Sequence, residues 1–460
     1  MTEYTIAAVA TAIGEAGIGI VRLSGADAID IGDRMFEPKR GGRLRDLPTY
    51  RLKYGRVVDP SNGRMIDEAI VLVMRGPHSY TGEDVVEFQC HGGVVAVKKV
   101  LETALQLGAK MAQPGEFTKR AFLNGRLDLT QAEAVMDIVQ SKTDVGLNVA
   151  VDQLEGSLSR RIGEIRERLY HIVVQVEAAV EFPEDDVPDV DLDWMESTIQ
   201  AGIDELDHLI ASADDGKILR EGLKTVITGK PNVGKSSLLN RLLDENRALV
   251  TDIPGTTRDT IEEVINLRGI PLRLIDTAGI RESGDVVERL GVERAVKLWD
   301  EADLILHVLD RSVPLEEEDY KILEHTKTKR RILLINKADL PAVWDISELG
   351  NLDDVQVLEI SLVEGDLTTL IDCIVEYAGS GALERSKSQS GIVTRARHKQ
   401  SLIEAHSALN QALTTLQMGY PLDLISIDLQ NALEHLGEIT GETVRENVID
   451  RIFSQFCIGK

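Results

Sequence analysis

The sequence predicts a multidomain α/β protein. An N-terminal α+β segment leads into a helical domain, and that domain is interrupted by a doubly wound, mostly parallel sheet. Three observations predict this. Five strand-like runs, "KTVIT", "PLRLID", "ADLILHVLD", "RRILLIN" and "VQVLEIS", alternate with helix-length segments, the pattern of a parallel sheet wrapped by helices. Apolar residues recur with helical spacing on both sides of that stretch; at the C-terminal end Val444, Val448, Ile452 and Phe456, with Ile449 and Phe453, make one face. Before the first helical stretch, short β-branched runs such as "GIGIVRL", "AIVLVM" and "DVVEFQCHGG" stand between turn clusters of Gly, Pro and Asp. The predicted boundaries are 1–118, 119–215, 216–383 and 384–460, the third segment being an insertion into the helical domain formed by the second and fourth.

Each element has a local signal. "EEVINLR", joined to "PLRLID" by a short Gly-Ile turn, predicts an antiparallel edge strand. Thr130 and Glu133 in "TQAE" predict a capping box in front of a helix. One long helix is expected over 144–181, broken by the prolines and like charges of "FPEDDVPDVD". Asp193 is expected to open the next helix, which would run to about residue 212.

Bulk properties narrow the class. A length of 460 residues implies about three domains at ~100–200 residues each. No stretch reaches the ~18 apolar residues of a membrane span, and the N-terminus lacks the cations of a secretion signal, so a cytoplasmic, non-membrane protein is expected. Cys90, Cys373 and Cys457 are scattered and odd in number, which argues against a disulfide framework. The net charge of −26 disfavours general nucleic-acid affinity. If RNA is a partner, a small basic patch or a second protein must supply the attraction.

The chemistry is densest in "TVITGKPNVGKSSLLNRLL". Gly229 to Ser236 fit G-x-x-x-x-G-K-[ST] between a strand and a helix, so the loop amides would cradle phosphates, Lys235 would reach the β/γ oxygens and Ser236 would hold Mg²⁺. "LIDTAG" places Asp276 to act on Mg²⁺ through water and Gly279 at the γ-phosphate. "INKAD" supplies Asn336, Lys337 and Asp339. A carboxylate at Asp339 accepts two hydrogen bonds from the N–H edge of guanine, whereas adenine would leave it unpaired. Three motifs in this order imply a guanine-nucleotide domain. Ser361 stands where a further base contact is expected. After Gly279 comes Ile280, not the water-orienting glutamine of Ras-like GTPases. Asn232 offers an amide oxygen inside the phosphate loop; it suits a monovalent cation or a purely structural loop contact, and residue chemistry favours neither.

These motifs together with "GIGIVRLSG", "HSYTGEDVVE", "CHGG", "QPGEFTKRAFLNGRLDL", "TDIPGTTRD", "DTAGIRE" and the terminal "FCIGK" make the chain resemble, over its full length, the tRNA modification GTPase MnmE (TrmE) family. The resemblance implies an N-terminal folate-binding and dimerising domain, a split helical domain and an inserted Ras-like G domain. It implies potassium-stimulated GTP hydrolysis by a homodimer. With an FAD-dependent partner of the MnmG/GidA family and a tetrahydrofolate derivative as one-carbon donor, such proteins add an aminomethyl-type group to carbon five of the wobble uridine of certain tRNAs. The implied GTP contacts are Asn232, Val233, Gly234, Lys235, Ser236, Ser237, Thr251, Asp252, Ile253, Pro254, Gly255, Thr256, Thr257, Asp276, Thr277, Ala278, Gly279, Asn336, Lys337, Asp339 and Ser361. Asn232, Thr251, Ile253 and Thr256 would hold K⁺, and Ser236 and Thr257 Mg²⁺. Glu288 matches the water-positioning glutamate, and Arg22, Glu87, Arg126 and Lys460 match the folate site.

Cys457, four residues from the end, is not part of a prenylation box, because a final lysine is not used there. A helix with an apolar stripe would deliver it to a defined place, and Gly459 would let the last residues turn. Its thiol is open to three roles: nucleophile, redox participant or packing residue. A regulatory GTPase switch in ribosome assembly shares every G motif, but has no evident need of the N-terminal blocks or the "CIGK" tail.

Overall fold

The computed structural model describes residues 4–181, 191–246, 263–275, 288–350, 352, 355–379 and 391–460. The chain forms two compact units, one from Met1–Met136, Leu154–Arg166 and Gln430–Lys460, the other from Asp137–Gln153 and Glu167–Leu429.

The first unit is built on a seven-stranded sheet in the order β3-β4-β5-β6-β2-β1-β7. Its strands are β1 (Ile6–Val9), β2 (Gly19–Ser24), β3 (Phe36–Pro38), β4 (Arg51–Asp59), β5 (Arg64–Met74), β6 (Val85–Cys90) and β7 (Lys110–Met111). Alternation sends Val21, Leu23, Val57, Val71, Val73, Val86 and Phe88 to one face, where they pack with residues of the helices Ala28–Arg34 and Val94–Gln106. The other face carries a row running across four strands, Arg22 opposite Glu87, Glu87 opposite Leu72, and Leu72 opposite Leu52. Leu52, Tyr54 and Ile70 remain exposed on that face. The C-terminal helix Glu446–Phe453 buries Ile449 and Phe453, with Phe456 beyond it, against Leu129, Ala132 and Met136. The predicted apolar stripe is therefore the stripe that packs.

The helix Leu129–Gln140 corrects one local expectation. The reciprocal cap is made by Asp128, whose carboxylate accepts from Gln131 N at 2.9 Å while Asp128 N donates to Gln131 Oε1 at 3.1 Å. Thr130 lies inside the first turn and donates to that same carboxylate at 2.7 Å. Both boxes fit the S/T/D-x-x-E/Q spacing, and the aspartate, the stronger acceptor, takes the cap position.

The second unit holds a six-stranded sheet in the order β13-β12-β11-β8-β10-β9. β8 (Leu223–Thr228), β10 (Ile270–Leu274), β11 (Leu304–Asp310), β12 (Arg331–Asn336) and β13 (Gln356–Glu359) run parallel, and β9 (Glu263–Leu267) pairs antiparallel with β10 at the edge. One face packs on Leu238, Leu239 and Leu242 of the helix Lys235–Asn246 and on Leu370, Ile371 and Ile374 of the helix Thr368–Tyr377. The opposite face packs Val226, Ile275 and Ile305 on Trp299 and Ile322, from the helices Glu288–Glu301 and Glu317–His325. Helices on both faces of a parallel sheet make this the doubly wound domain that the alternation predicts.

Two helix expectations change. The expected single helix over 144–181 is two helices, Asp144–Leu154 and Ser157–Glu181, separated at Gly156, whose φ of +81° ends helical geometry. The helix expected over about 193–212 runs instead over Leu192–Glu221, and Asp191 is its cap, accepting from Trp194 N at 3.0 Å. Gly216 does not end it. A Cβ there would meet Val393 O at 2.1 Å, so the glycine marks a close approach of the returning chain. That return leads into the helix Ala396–Gln417, whose Leu402, Ala405, Leu409 and Ala412 are buried, with Lys399 paired to Asp214 at 2.7 Å. The β8–β13 sheet thus leaves and re-enters a helical pair through adjacent ends.

His307, at the centre of β11, is 0% exposed, and neither ring nitrogen has a hydrogen-bond partner among the described residues. Burial, aided by the charges of Arg331 and Lys235, pushes its pKa down to about 3. Between that value and an unfolded pKa near 6.5, the unfolded chain binds a proton that the folded chain refuses, so folding stability falls as pH falls. The slope below pH 6.5 is about 1.4 kcal/mol per unit. Urea melts from pH 7 to pH 4.5 should show a smaller stability loss for His307→Phe than for the parent; equal losses would exclude His307 as the cause.

Candidate functional site

The phosphate loop joins β8 to the helix Lys235–Asn246. Asn232 takes φ +65°, a left-handed conformation that Asn tolerates better than most residues, and its side chain is exposed. Burial pushes the Lys235 ammonium below its ordinary pKa, and Nζ donates to Gly229 O at 2.7 Å and Lys230 O at 2.6 Å. Val233 is buried, while Ser236 and Ser237 are exposed in the first turn, where helix N–H groups point at an anion.

The base-side residues are bound to the same loop. Asn336, at the end of β12, donates Nδ2 to Val233 O at 2.7 Å and accepts Leu362 N at 3.2 Å. It therefore ties the phosphate loop to the loop after β13. Lys337, at φ +62°, pairs with Asp310 at 2.5 Å. Burial opposes charge on Asp310, but Lys337 and Ser312 hold its carboxyl below the usual range. Asp339 is exposed, and its Oδ1 accepts from Ser361 Oγ at 2.7 Å. Ser361 thus orients the carboxylate.

Thr251, Asp252, Ile253, Pro254, Gly255, Thr256, Thr257, Asp276, Thr277, Ala278 and Gly279 lie outside the described residues. Glu288 opens the helix Glu288–Glu301, and its side chain lies outside them too. A contact that sequence reasoning missed is Lys230, buried and paired with Asp319 at 2.7 Å and Glu316 at 3.1 Å. It anchors the phosphate loop to the helix Glu317–His325. The lysine is visible in "GKPNVGK", but acids more than eighty positions away carry no local signal.

The second cluster lies in the first unit. Arg22 Nε donates to Glu87 Oε1 at 2.7 Å across the β2–β6 ladder. The Arg22 guanidinium lies 5.5 Å from the Tyr80 ring centre, and that of Arg126 5.0 Å from the same ring. Arg126 also donates to Tyr80 O at 3.0 Å. One ring thus positions two cations, a role for Tyr80 that "HSYTGED" alone did not reveal. The terminus reaches the same place: Arg22 Nη1 donates to Gly459 O at 3.4 Å, one residue before Lys460. Gly115 N donates to Cys457 O at 3.4 Å. Cys457 is exposed, and Cys90, Cys373 and Cys457 are all free thiols. Gly459, at φ +94°, sits where a Cβ would meet Val9 O at 2.2 Å, so the tail is seated on β1.

Residues 5–126 match the model of the GTP-binding protein TrmE N-terminus, and residues 129–457 match the model of the MnmE helical domain. A tRNA modification GTPase MnmE from Alkaliphilus oremlandii is 48% identical over 460 residues, covering 100% of this chain and 99% of that protein. The MnmE proteins of Alkaliphilus metalliredigens and Geobacillus thermodenitrificans are 50% and 49% identical, each across 100% of this chain. The chain belongs to the MnmE tRNA modification GTPase family. The MnmE models cover both the N-terminal sheet and the helices that flank the G domain, so the family assignment does not rest on the widely shared G motifs. Among the described residues no helix is long and apolar enough to cross a membrane.

Proposed function

We propose that this chain is a cytoplasmic, potassium-stimulated GTPase that acts as a homodimer in tRNA wobble-uridine modification. With an FAD-dependent MnmG/GidA-family partner and a tetrahydrofolate derivative, it adds an aminomethyl-type group at carbon five. The observation that carries this reading is the meeting of Arg22, Glu87 and Arg126 with the tail that bears Cys457 and Lys460. Two arginines and a terminal lysine suit the carboxylates of a folate, and Glu87 suits the N–H groups of its pterin. Membership of the MnmE family supports the tRNA-directed activity. The exposed sheet face carrying Leu52, Tyr54 and Ile70 supports the homodimer.

In the G domain, GTP with Mg²⁺ on Ser236 and Thr257 is the ligand set that the loop suits. The left-handed, exposed Asn232 supports a K⁺ ligand role beside Thr251, Ile253 and Thr256, and the cation would supply the positive charge that an arginine finger otherwise gives. Glu288 would then position the attacking water. GTP turnover in potassium should exceed that in sodium at equal ionic strength by about tenfold or more. Asn232→Ala should remove the difference while sparing GDP affinity. Equal rates in the two salts for the parent chain would reject potassium stimulation.

A further inference from the structure

Residues 39–56 carry seven cations, Lys39, Arg40, Arg43, Arg45, Arg51, Lys53 and Arg56, and one acid, Asp46. Their net +6 leaves 44 cations and 76 acids, −32, on the rest of the chain. The stretch forms the turn after β3, the short 3₁₀ turn Leu44–Asp46, and the first half of β4 at the edge of the seven-stranded sheet. Arg45 is neutralised by Asp33 and Asp30, and Arg56 stands opposite Glu37 and Glu68 in the ladders. Lys39, Arg40, Arg43, Arg51 and Lys53 make no ion pair among the described residues.

Two of the five are fixed by contacts. Lys39 N donates to Tyr54 O at 3.0 Å, and its ammonium lies 5.1 Å from the Tyr54 ring centre. Lys53 Nζ donates to Gly41 O at 2.6 Å, which folds the turn back on β4. Tyr50 stands beside Arg51 with 62% of its surface exposed. Unpaired cations beside an exposed aromatic ring, that of Tyr50, are the chemistry that takes phosphates and an unstacked base.

We infer that the 39–56 edge is the surface through which this chain itself contacts tRNA. The inference rests on the proposed tRNA-directed activity and adds where the RNA lies. A polynucleotide strand is narrow enough to follow the patch alone. An anionic bilayer is a plane, and would bring the remaining −32 against a like-charged surface. The patch is thus the local source of attraction that a chain of net −26 requires.

The test titrates full-length protein with fluorescent total tRNA over a series of salt concentrations, for the parent chain and for Arg40→Glu/Arg43→Glu/Arg51→Glu. Loss of three phosphate contacts should weaken binding about tenfold or more and lower the log–log salt slope by about two. GTP hydrolysis should be unchanged, since the three side chains are exposed and lie outside the phosphate loop. An unchanged slope and affinity, or no tRNA binding by the parent at low salt, overturns the inference. So does a triple variant that loses only binding to phosphatidylserine vesicles or to the flavoprotein partner. Failure of the proposed function would appear elsewhere, as intact wobble modification in cells lacking the chain.

Discussion

Asp339→Asn should lower the preference for guanine over xanthine nucleotides by about 10⁴-fold. The carboxylate stands exposed after β12, with one oxygen fixed by Ser361 Oγ at 2.7 Å. Guanine presents two N–H donors on its base-pairing edge, and a carboxylate accepts both. An asparagine replaces one acceptor with an N–H₂ donor, which clashes electrostatically with guanine and complements the extra carbonyl of xanthine. The amide can still accept the Ser361 hydroxyl, so the loop should keep its form. Competition between GDP and XDP for the purified variant reads the switch directly. A variant that binds GDP as the parent does would show that the base edge is recognised elsewhere.

The second large effect concerns the terminus. Deleting Cys457–Lys460 should leave folding and GTP hydrolysis intact and abolish wobble-uridine modification, measured by mass spectrometry of tRNA from complemented deletion cells. Folding should survive because Phe453 and Phe456 stay packed with Leu129 and Met136. Gly459→Ala asks a sharper question. The new methyl would fall 2.2 Å from Val9 O in a residue at φ +94°, so the tail must leave its seat with Cys457 and Lys460 still present. Loss of modification in that variant would show that position matters as well as composition. Cys457→Ser separates the roles of the thiol, because a hydroxyl is a poorer nucleophile and cannot cycle through oxidation. Full modification by the truncated protein would make the tail a passive end.

Much of the G domain could be read before the structure. The runs that became β8, β10, β11, β12 and β13, the antiparallel edge β9, and the loop from Gly229 to Ser236 all lie where the sequence placed them. The errors were of one kind. In each, a local signal gave way to another: the cap falls to Asp128 and not Thr130, Gly156 breaks an otherwise unbroken periodicity, and the helix expected to end near residue 212 continues to Glu221. The cations of 39–56 were in plain view as letters, but whether they were paired was not.

The sequence by itself determined the strands of the G domain and its antiparallel edge, the phosphate loop and the apolar stripe of the last helix. Each rests on periodicity or spacing within about twenty residues, and backbone geometry turns such spacing into structure without outside help. Tertiary structure alone decided that Arg22 meets a carbonyl 437 positions away, that one tyrosine ring carries both Arg22 and Arg126, and that Lys230 is held by Asp319. The reason is physical. A charge or a glycine acquires its role from what packing brings within a few ångströms, and that neighbour can come from anywhere in the chain.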